Sequence, residues 1–362
     1  MPPPMPSRPT PVPHAPPAPR ASTPADVRGH LGEVVVTGGA GFLGSHLVEQ
    51  LLREGHWVHV LDDLSSGSFE NLAVVRDHPR LRLTIGSAAD PAIAQRVCNS
   101  ASAVFHLAGM VGVQRLAAEP LVVMQGNLRC TEVMLEAAAA ARLPILIASS
   151  SEVYGQGPVP FRECDPVRPG STQNLRGGYA CAKAMGEWLA LAHNHQQGLP
   201  VTIARLFNVV GPRQNGAYGM VLPRFLQQAR TGQPITVFGD GSQTRCFGGV
   251  REIARALAQL LATPAARGQC VNVGSDREIT VLQLAEIVRA ALGSRSPIVL
   301  VPHDRVFPKS FVDPHRRVPS LDRLRELIGW VPEQRIESIV EELAAAEPSP
   351  SVQRALAARA FS

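Results

Sequence analysis

The sequence predicts an α/β protein in which helices cover both faces of a doubly wound parallel sheet. Two observations lead to this fold class. From Glu33 onward, short apolar runs typical of strands alternate with amphipathic runs typical of helices. A glycine-rich turn joins the first strand to the first helix. After about Gly211 the alternation loosens, which predicts a smaller C-terminal lobe.

The predicted elements follow in order along the chain. Three consecutive valines at 34–36 indicate a short buried strand, and residues 45–53 an amphipathic helix. Further strands are predicted at 57–61, 81–85, 103–107, 145–149 and 201–207, with helices at 127–141 and 178–196. In the smaller lobe, the predicted strands are 235–238 and 270–273, and the helices are 220–231, 251–261 and 281–291.

Composition and charge exclude several classes of protein. The 362 residues carry a net charge of +5 from scattered arginines, without a basic run, so we expect no nucleic-acid partner. No apolar run approaches the roughly 20 residues of a membrane-spanning helix, so no membrane partner is expected. The six cysteines are dispersed without metal-ligand spacing, which predicts no metal site and a cytoplasmic location.

A dinucleotide-binding fingerprint follows the first strand. Gly38, Gly41 and Gly44 open the helix, where glycine lets the backbone approach a pyrophosphate. Asp62 ends the second strand, at the position of the acid that binds the ribose hydroxyls. Because a carboxylate there repels a 2′-phosphate, the sequence favours NAD over NADP. The alternative is that Asp62 and Asp63 form only an acidic turn.

A tyrosine and a lysine are spaced for proton transfer. Tyr179 is one of three tyrosines and Lys183 is one of two lysines. Residues four apart on a helix share a face, so the ammonium is expected to lower the pKa of the phenol. Tyr179 is therefore predicted to act as a general base near neutral pH.

Six motifs occur in one order: "TGGAGFLG", "HLAG", "SSSEVYG", "YACAK", "RLFNVVGPRQ" and "GDGSQTRCF". With them the chain resembles the extended short-chain dehydrogenase/reductase superfamily, in its nucleotide-sugar epimerase/dehydratase/decarboxylase branch. The resemblance implies a Rossmann-type NAD-binding domain at 29–210 and a smaller, interleaved nucleotide-sugar-binding lobe at 211–345. Residues 1–28 are expected to form a disordered Pro-rich tail and residues 346–362 a C-terminal tail.

The resemblance also implies roles for single residues. Tyr179 takes the proton of the sugar 4-hydroxyl while hydride passes from C4 to NAD, Lys183 holds the nicotinamide ribose, and Ser150 hydrogen-bonds the same sugar oxygen. The implied NAD contacts are Gly38, Gly41, Phe42, Leu43, Gly44, Asp62, Leu107, Ala108, Gly109, Tyr179 and Lys183. The implied contacts of the nucleotide sugar, with UDP favoured, are Asn208, Arg213, Phe238, Arg245 and Arg317.

The triplet Ser150, Ser151 and Glu152 bears on the second chemical step. It resembles UDP-glucuronate decarboxylases and GDP-mannose 4,6-dehydratases, and implies that Glu152 acts as a base or steers a substrate carboxylate. Arg317 matches an arginine that the decarboxylases place near the sugar carboxylate. We therefore expect a UDP-glucuronate decarboxylase-like or 4-epimerase activity. The alternatives are a 4,6-dehydratase and a non-catalytic NAD-binding relative.

Two further expectations come from the resemblance. Relatives pair through the helices that here cover 127–141 and 178–196, so a homodimer is expected. Residues 249–252 depart from the relatives' pattern, because glycine replaces a packing aromatic residue and Arg251 a helix-capping aspartate. Loss of such a cap costs on the order of 1 kcal/mol, so we expect a weakened local structure.

Overall fold

The computed structural model describes residues 32–216, 219–306 and 314–346. The tails predicted at 1–28 and 346–362 lie outside these ranges, apart from Ala346. The sheet domain contains β1 (Glu33–Thr37), α1 (Phe42–Arg53), β2 (Trp57–Asp62), β3 (Leu81–Ile85), α2 (Pro91–Asn99), β4 (Ala101–His106), α3 (Val113–Ala118), α4 (Pro120–Ala141), β5 (Ile145–Ser150), α5 (Leu175–Gln197) and β6 (Val201–Leu206). The elements that follow are β7 (Val209–Val210), α6 (Val221–Arg230), β8 (Ile235–Phe238), β9 (Thr244–Cys246), β10 (Gly248–Gly249), α7 (Val250–Ala262), β11 (Gln269–Val273), β12 (Glu278–Thr280), α8 (Val281–Ala291), β13 (Ile298–Val301), α9 (Asp322–Ile328) and α10 (Ile336–Ala345).

Seven parallel strands form the central sheet, in the order β3-β2-β1-β4-β5-β6-β11. The strand order reverses between β1 and β4, so the connections after these two strands run to opposite sides of the sheet. Ligands of such sheets bind in the crevice at the carboxyl ends of the strands, where this reversal occurs. The predicted fold class is confirmed.

Both faces of the sheet are buried, as a parallel sheet requires. The side chains of Val34 and Val36 join one apolar cluster with α1 and α7, and Val35 joins a second cluster with α4 and α5. All three valines are fully buried. Side chains alternate along a strand, so three consecutive valines stabilise both layers of helices at once.

The smaller lobe has an apolar core of its own. Helices α6, α8 and α10 pack there around β8, with Phe225, Val237, Leu284 and Val340 buried between them. Two-stranded ladders pair β8 with β13, β9 with β12, and β7 with β10. Within the described ranges, no helix is long and apolar enough to cross a membrane.

The structure corrects several predicted elements. Helix α4 begins at Pro120, seven residues before the predicted start at residue 127. The fixed φ of proline suits the first turn of a helix, which explains the earlier start. Strand β11, predicted as part of the smaller lobe, is the outermost strand of the central sheet beside β6. A short apolar run carries no information about its pairing partner, which explains the second difference.

The segment at 249–252 has contacts that offset its missing cap. Helix α7 begins at Val250 without a side-chain cap, with Gly249 at the N-cap. Arg251 therefore lies inside the first turn and not at the capping position that the sequence predicted. A Cβ at Gly249 would lie 2.1 Å from Oε1 of Gln334, so the glutamine packs in the space that a larger side chain would take. The carboxylate of Glu252 accepts the backbone N–H groups of Glu333 at 3.0 Å and Gln334 at 2.9 Å. These contacts hold the start of α7 against the segment at 333–334 in place of a side-chain cap.

Candidate active site

Gly38, Gly41 and Gly44 line the turn between β1 and α1. Gly38 has a φ of +70°, and a Cβ there would lie 2.8 Å from the backbone nitrogen of Ala108. A Cβ at Gly44 would lie 2.0 Å from the carbonyl oxygen of Gly38, so this position admits only glycine. Helix α1 then begins at Phe42 with no side chain capping its first turn. The backbone therefore forms a cradle that suits a pyrophosphate at a helix N-terminus.

Asp62 lies at the end of β2, beside this cradle. Its Oδ2 accepts the N–H of Ala40 at 2.9 Å, and its Oδ1 accepts the N–H of Leu64 at 2.8 Å. Burial raises the pKa of Asp62, and the two hydrogen bonds oppose this shift. A carboxylate in this place suits the hydroxyls of an adenosine ribose and repels a 2′-phosphate.

The loop after β4 meets α4 and α5 at a narrow pocket. A Cβ at Gly109 would lie 2.7 Å from Oδ1 of Asn127 and 3.2 Å from Nζ of Lys183. Oδ1 of Asn127 is buried and has no hydrogen-bond partner among the described residues. Burial lowers the pKa of Lys183, whose Nζ donates to the carbonyl of Ala148 at 3.1 Å. The bare backbone, orphaned amide oxygen and ammonium fit the nicotinamide half of a dinucleotide.

Tyr179 and Lys183 lie one turn apart on α5, and Ser150 ends β5 beside them. Burial raises the pKa of Tyr179, the charge of Glu152 raises it further, and a hydrogen bond with Ser150 and the charge of Arg317 lower it. The phenol and the hydroxyl are nevertheless placed to share one substrate oxygen.

Glu152 is held between two guanidinium groups. Arg176 donates to it from Nε at 2.8 Å and from Nη2 at 2.7 Å, and Arg317 donates from Nη1 at 2.7 Å and from Nη2 at 3.1 Å. Burial alone would raise the pKa of Glu152, but the charges of Arg317 and Arg176 outweigh it and hold this pKa far below its usual range. Nε of Arg317 is buried and has no hydrogen-bond partner in the described part of the chain. The cluster therefore suits an additional anionic group.

A buried ion pair anchors α5 behind these residues. Glu187 lies one turn after Lys183 and accepts hydrogen bonds from Nε and Nη2 of Arg205 at 3.0 and 2.6 Å. It also accepts the hydroxyl of Ser149, the residue before Ser150. The side chains of Glu187 and Arg205 are only 4% and 6% exposed. The ion pair thus fixes α5 relative to the carboxyl end of β5.

Asn208, Arg245 and Phe238 are three further predicted substrate contacts. Asn208 donates to the carbonyl of Cys246 at 3.1 Å, which ties the end of β6 to the β9–β10 segment. Arg245 is buried and donates to a neighbouring backbone carbonyl. The guanidinium carbon of Arg224 lies 3.8 Å from the ring centre of Phe238.

Arg213 and Ser151 lie at the margin of the site. Arg213 has a left-handed φ of 69° and pairs with Glu49 of α1, and it also donates to the hydroxyl of Ser45 at 3.1 Å. Its guanidinium therefore joins the smaller lobe to the helix of the glycine cradle. Ser151 is buried at the start of the short turn after β5. No three His, Cys, Asp or Glu side chains group as metal ligands in the described ranges.

Sequence reasoning missed Arg176, Asn127 and Glu187. Helical spacing carries a signal for two of them, because Arg176 precedes Tyr179 by three residues and Glu187 follows Lys183 by four. Asn127 comes from α4 and reaches the site only through the packing of α4 on α5. No spacing along the chain indicates it.

Enzymes that use NAD as a bound catalyst combine a phosphate cradle with a titratable side chain, and this chain has both at one edge of its sheet. The chain belongs to the NAD dependent epimerase/dehydratase family, which matches residues 34–274. This membership confirms the predicted family, the NAD cofactor and the class of enzyme.

Similar proteins act on several nucleotide sugars. The UDP-N-acetyl-alpha-D-glucosaminuronate decarboxylase of Bacillus cytotoxicus is 35% identical over 310 residues, which are 85% of this chain and 95% of that protein. UDP-glucuronic acid decarboxylase 1 of Danio rerio is 32% identical over 305 residues, covering 83% and 68%. The solved UDP-N-acetylglucosamine 4-epimerase from Methanobrevibacter ruminantium, in complex with UDP-N-acetylmuramic acid, superposes with a TM-score of 0.78 at 31% identity, covering 87% and 97%. The dTDP-glucose 4,6-dehydratase DesIV from Streptomyces venezuelae, with NAD bound, reaches 0.78 at 28% identity, covering 86% and 95%.

Proposed function

We propose that the protein is a UDP-uronate decarboxylase that begins by oxidising the sugar at C4. The observation that carries this proposal is the cluster of Arg176, Glu152 and Arg317. Both guanidinium groups donate to the one carboxylate of Glu152, and the buried Nε of Arg317 has no hydrogen-bond partner among the residues that the structure describes. A sugar carboxylate is an acceptor that suits this free guanidinium donor. Relatives named for decarboxylating UDP-uronates support the same choice.

The first step is oxidation of the 4-hydroxyl. NAD, when bound, accepts the C4 hydride and returns it at the end of the cycle. Tyr179 takes the hydroxyl proton, and its hydrogen bond with Ser150 places both groups on the same oxygen. Lys183 and the amide oxygen of Asn127, which both lie close to Gly109, would hold the nicotinamide half of the cofactor, and Asp62 would hold the adenosine ribose.

The second step follows from the ketone. A C4 ketone makes the C6 carboxylate a β-keto acid, so the C5–C6 bond breaks, its electron pair moves toward the C4 oxygen, and carbon dioxide leaves. C5 then takes a proton from solvent. Return of the hydride to C4, together with the proton held by Tyr179, restores the 4-hydroxyl. Arg317 binds the carboxylate before this bond breaks. Because Glu152 has a pKa far below its usual range, it stays ionised and orients guanidinium groups without donating a proton.

A 4-epimerase is the second candidate. Epimerisation needs only the oxidation and reduction at C4 by Tyr179 and Ser150, and the solved 4-epimerase at 31% identity supports it. Product identification separates the two, using mass spectrometry and proton NMR after incubation with NAD and UDP-glucuronate or UDP-N-acetylglucosaminuronate. Loss of carbon dioxide is the expected result. An unchanged mass with an inverted C4 proton would establish the epimerase, and an unchanged substrate in both reactions would refute the decarboxylase.

We also propose a cytoplasmic homodimer that forms through α4 and α5. These neighbouring helices expose large apolar side chains, Leu121, Val122, Met185 and Trp188 among them, and Trp188 is 58% exposed. Such side chains are typical of a surface that another protein covers. All six cysteines are free thiols, which suits a reducing compartment. Light scattering should give a dimer for the wild type and a monomer for Trp188→Glu; a wild-type monomer would refute the pairing.

A further inference from the structure

Arg176 is a site residue to which neither the motifs nor the similar proteins assign a role. It lies on α5, one turn before Tyr179, and its guanidinium meets both carboxylate oxygens of Glu152, at 2.8 and 2.7 Å. Its side chain is only 12% exposed. A bidentate contact of this kind fixes orientation as well as charge.

The two arginines that hold Glu152 differ in how they are anchored. The backbone N–H of Arg176 donates to the Oδ1 of Asn174 at 3.1 Å, at the capped start of a long helix. Arg317 lies in the loop before α9 and keeps a buried Nε that has no partner among the described residues. Arg317 therefore has a donor left for a new acceptor, whereas Arg176 belongs to the same rigid helix as Tyr179.

The charge of Glu152 also acts on Tyr179. The groups that face the phenol are Ser150 from β5, Glu152 from the turn after β5, and Arg317 from the loop before α9, with Lys183 one turn further along α5. The negative charge of Glu152 opposes formation of the phenolate, and the positive charge of Arg317 favours it. If a substrate carboxylate occupies Arg317, that favourable charge is offset, and Arg176 is the cation that still balances Glu152.

We propose that Arg176 is a positioning residue that holds Glu152 in place and balances its charge beside Tyr179 while Arg317 binds the substrate. The binding of a substrate carboxylate by Arg317 is the part of this proposal that rests on the proposed function. The contact between Arg176 and Glu152 does not depend on that step.

The test is the pH dependence of NAD reduction, followed by NADH absorbance when UDP-glucuronate is added to the NAD-loaded protein. The variants are Arg176→Met, Arg176→Lys and the surface control Arg251→Met. In Arg176→Met the acid limb should move up by about half to one pH unit, which lowers the rate at neutral pH roughly 3- to 10-fold and restores it at higher pH. Arg176→Lys should keep most of the wild-type profile, and Arg251→Met all of it. A loss of rate by the same factor at every pH, or an unmoved limb, would overturn the proposal.

A second measurement needs no substrate. In thermal unfolding, Arg176→Met should lower the midpoint by several degrees in the wild-type background and much less in the Glu152→Gln background, because the partner charge is then gone. Equal effects in both backgrounds would overturn the proposal, whether or not UDP-glucuronate reacts. NADH formation without release of carbon dioxide would refute the decarboxylase alone and would leave the pH test of Arg176 in force.

Discussion

Replacing Glu187 by glutamine is expected to destabilise the protein strongly, because the guanidinium of Arg205 is then buried without a counter-charge. The two side chains are 4% and 6% exposed and are joined by hydrogen bonds at 2.6 and 3.0 Å. Removing one partner of a buried ion pair costs about 3–5 kcal/mol. The amide oxygen of glutamine still accepts a hydrogen bond, so the lower end of this range applies. In a 362-residue chain each kcal/mol shifts the unfolding midpoint by only about 1.3 °C, so the midpoint should fall by about 4 °C.

The unfolding midpoint of Glu187→Gln is measured by circular dichroism and compared with that of Glu342→Gln, which serves as the matched control. Glu342 pairs with Arg251, whose side chain is 54% exposed, and an exposed pair contributes less than about 1 kcal/mol. The double variant Glu187→Met/Arg205→Met removes both charges and should recover much of the lost stability. Equal melting points for the two single variants would show that the Glu187–Arg205 pair does not hold α5 against the sheet.

Three other changes probe the site. Gly44→Ala places a Cβ 2.0 Å from the carbonyl oxygen of Gly38. It should weaken NAD binding, measured by calorimetry, at least roughly tenfold, or about 1.4 kcal/mol. In the control Gly32→Ala the new Cβ makes ordinary contacts of 3.4 Å, so NAD should bind as it does to the wild type. Tyr179→Phe should abolish turnover and leave NAD affinity nearly unchanged; retained turnover would exclude the phenol as the base. The pKa of Glu152 is depressed in the folded protein, so its stabilising contribution is complete above the usual carboxyl pKa and is lost as pH falls below it. Glu152→Gln should therefore flatten the decline of the melting point on acidification, and an unchanged decline would contradict the ion-pair geometry.

Local sequence patterns predicted the parts of the site that depend on local backbone. The tight turn at Gly38 and the position of Asp62 at the end of β2 were predictable, because both depend on the chain close to them in sequence. The contact between Glu152 and Arg317 joins residues 165 positions apart, and the sequence did not predict it. The resemblance gave each residue a role toward the substrate but did not pair them. Periodicity cannot assign a partner across such a distance, since it reports which face is buried and not what lies against it.

The same limit explains the errors in the fold. The run at 270–273 predicted a strand, but the central sheet gained that strand only because β6 offered an edge for it. Helical spacing placed Lys183 on the same face of α5 as Tyr179, but it did not indicate that the ammonium donates to the carbonyl of Ala148 on β5. Spacing along a helix predicts which side chains share a face. The contacts that each side chain makes depend on the strand that packs against that face.

The central claim, decarboxylation after oxidation at C4, is tested most directly with UDP-glucuronate and UDP-N-acetylglucosaminuronate labelled at the carboxyl carbon. The protein with NAD should release labelled carbon dioxide in an amount equal to the nucleotide sugar consumed, without net formation of NADH, and Tyr179→Phe should release none. Consumption of either sugar with the label retained in the product would contradict the account.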